Sequence, residues 1–191
     1  MKTKDKLMLI ALLILPQGAL ADIYEYGLGL SYGQYSVNDP DGPTDVAFTQ
    51  AVSGQWIVTS RKHWRWWIDA QYVNFDLDYT PGNIGQAVRS FHIDAVYQRG
   101  FRLPMYLDGW IGAGLGMGIN KMTNRALVDD QGFITQSFDD RDETNYSIIT
   151  NAGFAFGGKD ARMTLNARYT IALDNDVETM NTGFFIVFTY D

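Results

Sequence analysis

Along most of the chain, apolar and polar residues alternate with a period of two, the pattern of a strand with two different faces. Over 105–119, Leu107, Ile111, Ala113, Leu115, Met117 and Ile119 share one face. Tyr106, Asp108, Trp110, Gly112, Gly114, Gly116 and Gly118 share the other. Over 161–171, Met163, Leu165, Ala167, Tyr169 and Ile171 alternate with Arg162, Thr164, Asn166, Arg168 and Thr170. Over 23–35, Tyr24, Tyr26, Leu28, Leu30 and Tyr32 alternate with Glu25, Gly27, Gly29, Ser31 and Gly33. Eight such runs are predicted as strands: 23–36, 46–59, 64–78, 87–99, 105–119, 144–157, 161–172 and 181–190. A tilted strand needs about 9–11 residues to cross a membrane, and these runs are long enough.

The connections alternate in length. Those at 60–63, 100–104 and 158–160 are short, and those at 37–45, 79–86, 120–143 and 173–180 are long. Short turns at one end and long loops at the other characterise a transmembrane barrel. Aromatic residues cluster at the short-turn end: Tyr24, Trp56, Trp64, Trp66, Tyr97, Phe154, Phe156 and Tyr190 form the expected interfacial girdle. The competing architecture is a water-soluble barrel with its apolar face inward. The polar faces carry many glycines, which suit a crowded narrow lumen better than a solvated surface. The predicted fold class is all-β, an eight-stranded antiparallel transmembrane β-barrel.

The start of the chain reads as an export signal. Lys2, Lys4 and Lys6 precede the apolar run Leu7–Leu15, and Ala19-Leu20-Ala21 is a small-x-small cleavage site. The run is too short for a membrane anchor, since a spanning helix needs about 20 residues. The expected domains are a signal peptide, 1–21, and a barrel, 22–191. Cleavage removes three lysines and one aspartate and takes the formal charge from −7 to −9. That acidity argues against a nucleic-acid partner. With no cysteine, disulfides and thiol chemistry are absent.

At this point the mature chain resembles the small eight-stranded outer-membrane barrels of Gram-negative bacteria, the OmpA, OmpX and OmpW-like group. The segment Tyr106-Leu107-Asp108-Gly109-Trp110-Ile111-Gly112-Ala113-Gly114-Leu115-Gly116 is similar to a strand pattern recurring in these families. The end of the chain, Phe184-Phe185-Ile186-Val187-Phe188-Thr189-Tyr190, resembles the signal read by the barrel-assembly machinery, with Asp191 following where an aromatic residue usually ends it. The resemblance implies a monomer in the cell outer membrane, in contact with membrane lipid and lipopolysaccharide.

Charges of both signs fall on the inward parity. Glu25, Asp69, Asp94 and Asp108 face Arg65, Arg162 and Arg168, with His92 and Gln71 between them. Buried charge is costly unless paired, so these residues are expected to form a lumen ion-pair network. The alternative is a gated path for a small solute. Ser90, His92 and Asp94 lie at i, i+2 and i+4 on one face, a spacing of about 7 Å that allows contact only in favourable rotamers. The layout is also similar to lipid A deacylase barrels, whose His-x-Ser pair sits on the penultimate strand. Here Arg168-Tyr169-Thr170 occupies that place, with Glu178 the acid nearby. A guanidinium cannot act as a neutral base, so no catalytic residues and no enzymatic activity are expected. The long loops are acidic: Asp39, Asp41 and Asp45; Asp129, Asp130, Asp139, Asp140, Asp142 and Glu143 against Lys121, Arg125 and Arg141; then Asp174, Asp176 and Glu178. No full calcium-loop spacing is present, so no metal or cofactor is expected. Loop 120–143 is the candidate contact for an extracellular protein. The expected role is structural or surface interaction, with a narrow transporter of small or hydrophobic solutes as the alternative.

Overall fold

The computed structural model describes residues 23–61, 63–104, 107–158, 160–173 and 177–190. The expected leader and Tyr106, Asp174, Asp176 and Asp191 lie outside them, as do the side chains of Glu178 and Tyr190. The strands are β1 (Ile23–Val37), β2 (Asp45–Arg61), β3 (Trp64–Leu77), β4 (Gly85–Arg102), β5 (Asp108–Val128), β6 (Ile134–Ser137), β7 (Arg141–Gly157), β8 (Ala161–Ala172) and β9 (Val177–Tyr190). Eight of them form a ring in the order β1-β2-β3-β4-β5-β7-β8-β9, and β1 pairs with β9 to close it. Short β6 hangs on β5 alone.

Followed once round, the register steps from Glu25 to Ile57, Trp67, Val96, Gly114, Ile149, Thr170 and Thr179. It returns to β1 at Tyr35, ten residues beyond its start. Such a stagger tilts the strands and leaves an eight-strand interior narrow enough for side chains to fill. Apolar side chains point outward, with Leu28 71% and Ile111 57% exposed, while Glu25, Asp69 and Gln71 are buried. A wall that is apolar outside and polar inside belongs in a membrane. The chain is a transmembrane β-barrel.

Several expected boundaries move. The segment 120–143 is not a loop: β5 runs on to Val128 and folds back as β6. Lys121, Asn124 and Arg125 make this stretch look like a polar connection, yet the alternation persists, with Asn120 and Met122 buried and Lys121 exposed. Strand β5 also starts late, at Asp108, because Leu103 N–H bonds to Leu107 O (2.9 Å) and closes a turn there. Leu107, expected on the lipid face, belongs to that turn. Strand β9 starts at Val177, so the 173–180 connection is shorter than expected.

The polarity of the wall inverts partway along several strands. On β3, Trp66, Ile68, Ala70 and Tyr72 face outward and Arg65, Asp69 and Gln71 inward. Beyond that point the outward residues are Asn74 and Asp76, and the inward ones Val73, Phe75 and Leu77. Strands β1, β4 and β5 switch in the same way, at Gln34, Arg89 and Lys121. The lower part thus suits lipid outside, and the upper part suits water outside. Tyr35, Val37, Ala51, Val73, Phe75, Leu77, Val88 and Met122 form an apolar core within the upper part. By the usual rule for such barrels, short turns mark the inner end and this upper part projects outward from the membrane.

Candidate functional site

Polar and apolar layers alternate along the lumen. At the inner end, Arg162 pairs with Glu25, while its Nη1 is 3.9 Å from Asp108. Asp108 was expected inside, but its side chain is 53% exposed, because β5 begins there and places it on the rim. Arg65 Nε donates to Gln98 Oε1 (2.6 Å), and its guanidinium lies 3.9 Å over the Trp110 ring. Gln98 in turn donates to Asn151. An apolar layer of Ile57, Trp67, Val96, Ile149, Phe185 and Val187 follows.

Arg168 stands in the middle of the barrel. Its Nη1 donates to Asp69 Oδ2 (2.9 Å) and Asp94 Oδ2 (2.5 Å), and its Nη2 to Gln71. Gln71 donates to Ser31 Oγ (2.7 Å). Asp69 and Asp94 are direct cross-strand partners, so one guanidinium serves two adjacent carboxylates. Glycine makes the room: a Cβ on Gly116 would meet Asp94, Ile149 and Ser147, and one on Gly118 would meet His92 and Asn145. The cavity beside Arg168 has a volume of about 10 Å³, room for about one water molecule.

Ser90 Oγ and His92 Nε2 are 2.5 Å apart. Ser90 also donates to Asn120 Oδ1. Ser90 Oγ thus has two neighbours, His92 and Asn120, and the direction of its bond with His92 depends on the histidine tautomer. Asp94 serves Arg168 rather than His92. Arg168 and Thr170, at the place of the deacylase pair, are both buried in the lumen, and Tyr169 between them faces outward. Among the described residues, no group of three His, Asp or Glu side chains is placed to hold a metal ion.

At the inner rim, Trp64 stacks on Tyr97 (4.8 Å between centroids) and Trp66 tilts against it (5.0 Å). Phe154 and Phe156 lie 6.4 Å apart, and Tyr24, Trp56 and Phe156 are exposed.

The outer end holds a constellation that loop composition conceals. Asn124 has φ 57°, a left-handed conformation that asparagine tolerates better than most residues. There the register against β4 shifts between Gly85 and Ala87, and Arg125 turns inward. Arg125 Nη2 meets Asp39 Oδ1 (2.6 Å) and Asp41 Oδ2 (2.7 Å), and its Nη1 donates to Asp139 O (2.9 Å). Burial works against its charge, but the hydrogen bonds and charges of Asp41 and Asp39 outweigh it and hold its pKa above the ordinary guanidinium value. Arg125 therefore clamps the β1–β2 loop to the base of the β5–β6 hairpin. The hairpin tip is built by Asp129, whose carboxylate accepts from the N–H groups of Gln131 and Phe133 (2.9 Å each), and by Gly132 at φ 84°. Phe133 and Ile134 are 67% and 64% exposed, and all four residues of β6 are exposed. The parity of Arg125, readable only once the bulge is known, is the signal that sequence reasoning lacked.

No protein-family model matches the chain, and no curated protein sequence matches it significantly. Solved structures do. Ail, the attachment invasion locus protein of Yersinia pestis, in complex with the heparin analogue sucrose octasulfate, is similar at 15% identity and TM-score 0.53, over 87% of this chain and 99% of that one. Neisserial surface protein A is similar at 11% identity and TM-score 0.55, over 87% of this chain and 97% of that one. The outer membrane protein OprG from Pseudomonas aeruginosa is similar at 11% identity and TM-score 0.54, over 91% of this chain and 98% of that one. The fold of this chain is that of the small outer-membrane barrels.

Proposed function

We propose that the chain is an outer-membrane protein, exported through the leader 1–21 and inserted by the barrel-assembly machinery. In this reading a monomeric barrel serves as an anchor, and the β5–β6 hairpin docks an extended segment of an extracellular protein. One observation carries this. Strand β6 pairs with β5 alone, and Phe133 and Ile134 stand exposed at its start. An unpaired strand edge is a template for a further strand, with main-chain bonds giving affinity and exposed side chains giving specificity. The Arg125 clamp supports the same reading, because it holds the hairpin in one orientation and lowers the ordering cost of binding. Transport draws no support from a lumen with two apolar layers and a water-sized cavity. Catalysis draws none from the Ser90–His92 pair, since Asp94, the acid on the same face, serves Arg168.

The test compares bacteria displaying the native barrel with bacteria displaying Phe133→Ser/Ile134→Ser, on immobilised serum and matrix proteins. Binding by the native barrel and its loss in the variant, with barrel assembly unchanged, is expected. Equal binding by both would refute the role of the hairpin.

A further inference from the structure

Two hairpins of the wall separate at the outer end. Strands β1 and β2 stay in register up to Val37 and Asp45, and β3 and β4 up to Leu77 and Gln86. Between β2 and β3 the register ends at Ala51 and Val73, so 45–50 and 74–77 are not paired with each other. About half of the backbone N–H and C=O groups of each segment therefore point into the gap. The gap is a cleft of about 410 Å³, lined by Asp45, Ala47 and Phe48 on one side and by Asp76, Leu77 and Asp78 on the other. Side-chain chemistry accounts for the separation. Continuing the register would set Phe48 opposite Asp76 and Val46 opposite Asp78 on the outward face, hydrocarbon against carboxylate in both rows. All four residues are exposed. Among the described residues, neither Asp76 nor Asp78 forms an ion pair.

We propose that this cleft takes an extended segment of an extracellular protein, with Lys or Arg at alternate positions and small apolar residues between them. The site is separate from the β6 hairpin. A strand paired with the free edge of β2 places its outward side chains between Phe48 and Val46 on one side and Asp76 and Asp78 on the other. A lysine or arginine meets both demands, because its hydrocarbon stem covers the apolar neighbour while its charged head reaches the carboxylate. The residues between the basic ones point inward. There Ala47 and Leu77 offer an apolar floor continuous with the core of the upper part. A second copy of this chain is a poor occupant, since its long connections are acidic and carboxylates would meet carboxylates. Among the described residues, the acids are not grouped to hold a metal ion, so a cationic side chain is the complement that fits.

The test uses the refolded mature chain in phosphatidylcholine nanodiscs and a fluorescent octapeptide of alternating lysine and valine, with binding read by anisotropy. An isomer with the four lysines together and the four valines together carries the same charge but cannot alternate. The alternating peptide should bind more tightly than the isomer, and methylating its backbone nitrogens should remove the advantage. Cross-strand charge pairs are modest, so Asp76→Asn/Asp78→Asn together should weaken the alternating peptide about tenfold. Asp130→Asn/Asp142→Asn, the same charge change at exposed positions elsewhere on the upper part, should leave its affinity unchanged. Bound peptide should slow hydrogen exchange across 45–50. Equal binding of the two peptides, or an equal loss in Asp130→Asn/Asp142→Asn, would mean general charge attraction and overturn the site. Equal binding of the methylated peptide would overturn strand pairing. A loss in Phe133→Ser/Ile134→Ser, with exchange at 45–50 unchanged, would place the peptide on the β6 edge and overturn the cleft while leaving the hairpin reading intact.

Discussion

Replacing Arg168 with methionine would remove the cation that Asp69 and Asp94 share. The arginine is 5% exposed, Asp69 and Asp94 are each 1% exposed, and the two carboxylates are paired directly across β3 and β4. Breaking a buried ion pair by deleting one member costs about 3–5 kcal/mol, since the remaining charge is left without compensation. Here two carboxylates would be left, each repelling the other, so the upper end of that range is expected. A surface pair would cost about 1 kcal/mol or less. The assay is equilibrium urea unfolding of the mature barrel in phosphatidylcholine vesicles, followed by tryptophan fluorescence. Trp67 lines the cavity beside Arg168 and reports on this layer. The control is Arg168→Met/Asp69→Asn/Asp94→Asn, which removes all three charges and should recover most of the loss, since amides can bond to one another. A loss below about 1 kcal/mol for Arg168→Met would refute the buried network. So would a triple variant no more stable than the single one, because the penalty would then come from lost packing and not from orphaned charge.

Three further outcomes are expected. Arg125→Met should raise hydrogen exchange across Ala126–Ser137 while leaving the lower strands protected, since the clamp ties only the hairpin base; unchanged exchange there would refute the clamp. Leu115→Arg, on the outward face, should cost about 2–4 kcal/mol in vesicle unfolding if it lies near the bilayer midplane; a neutral effect would refute that placement. Phe75→Ala should cost about 3–5 kcal/mol because it opens the apolar core of the upper part, whereas Phe91→Ala, outward on β4, should cost much less; equal costs would refute the inversion of the wall.

The lower barrel was legible from the sequence because the period of two is unbroken there. In the run 105–119, for example, the parity of Gly112 to Gly118 and of Ile111 to Ile119 already assigns inside and outside, and the glycines fall where His92, Asp94 and Asn145 need room. Individual partners were less legible. Arg168 reaches Asp69 and Asp94 rather than Glu25, because the stagger of the ring decides which rows share a level, and stagger is a property of all the strands together. The upper part was hidden for a different reason. Parity continues through Met122, but polarity reverses, so a rule that equates apolar with outward stops working where lipid ends. The bulge at Asn124 then changes the parity itself. Asp39, Asp41 and Arg125 consequently looked like solvated loop charges, whereas two of them are buried and all three are joined.

The surplus strand length explains why the hairpin can project as an ordered element. A crossing needs about 9–11 residues, whereas β5 has 21 and β2 and β7 have 17 each. Strand beyond the bilayer cannot rely on lipid to cover apolar side chains, so its apolar residues must turn inward and bury one another. Tyr35 and Phe75 do so, with ring centroids 5.7 Å apart. Above them the last inward row is charged, and Arg125 with Asp39 closes it against water. A loop of the same length without that core would sample many conformations and lose more entropy on binding a partner. The barrel interior thus changes its task along its axis: two charged layers with one apolar layer between them fill the part that lipid surrounds, and buried hydrocarbon supports the part that carries β6.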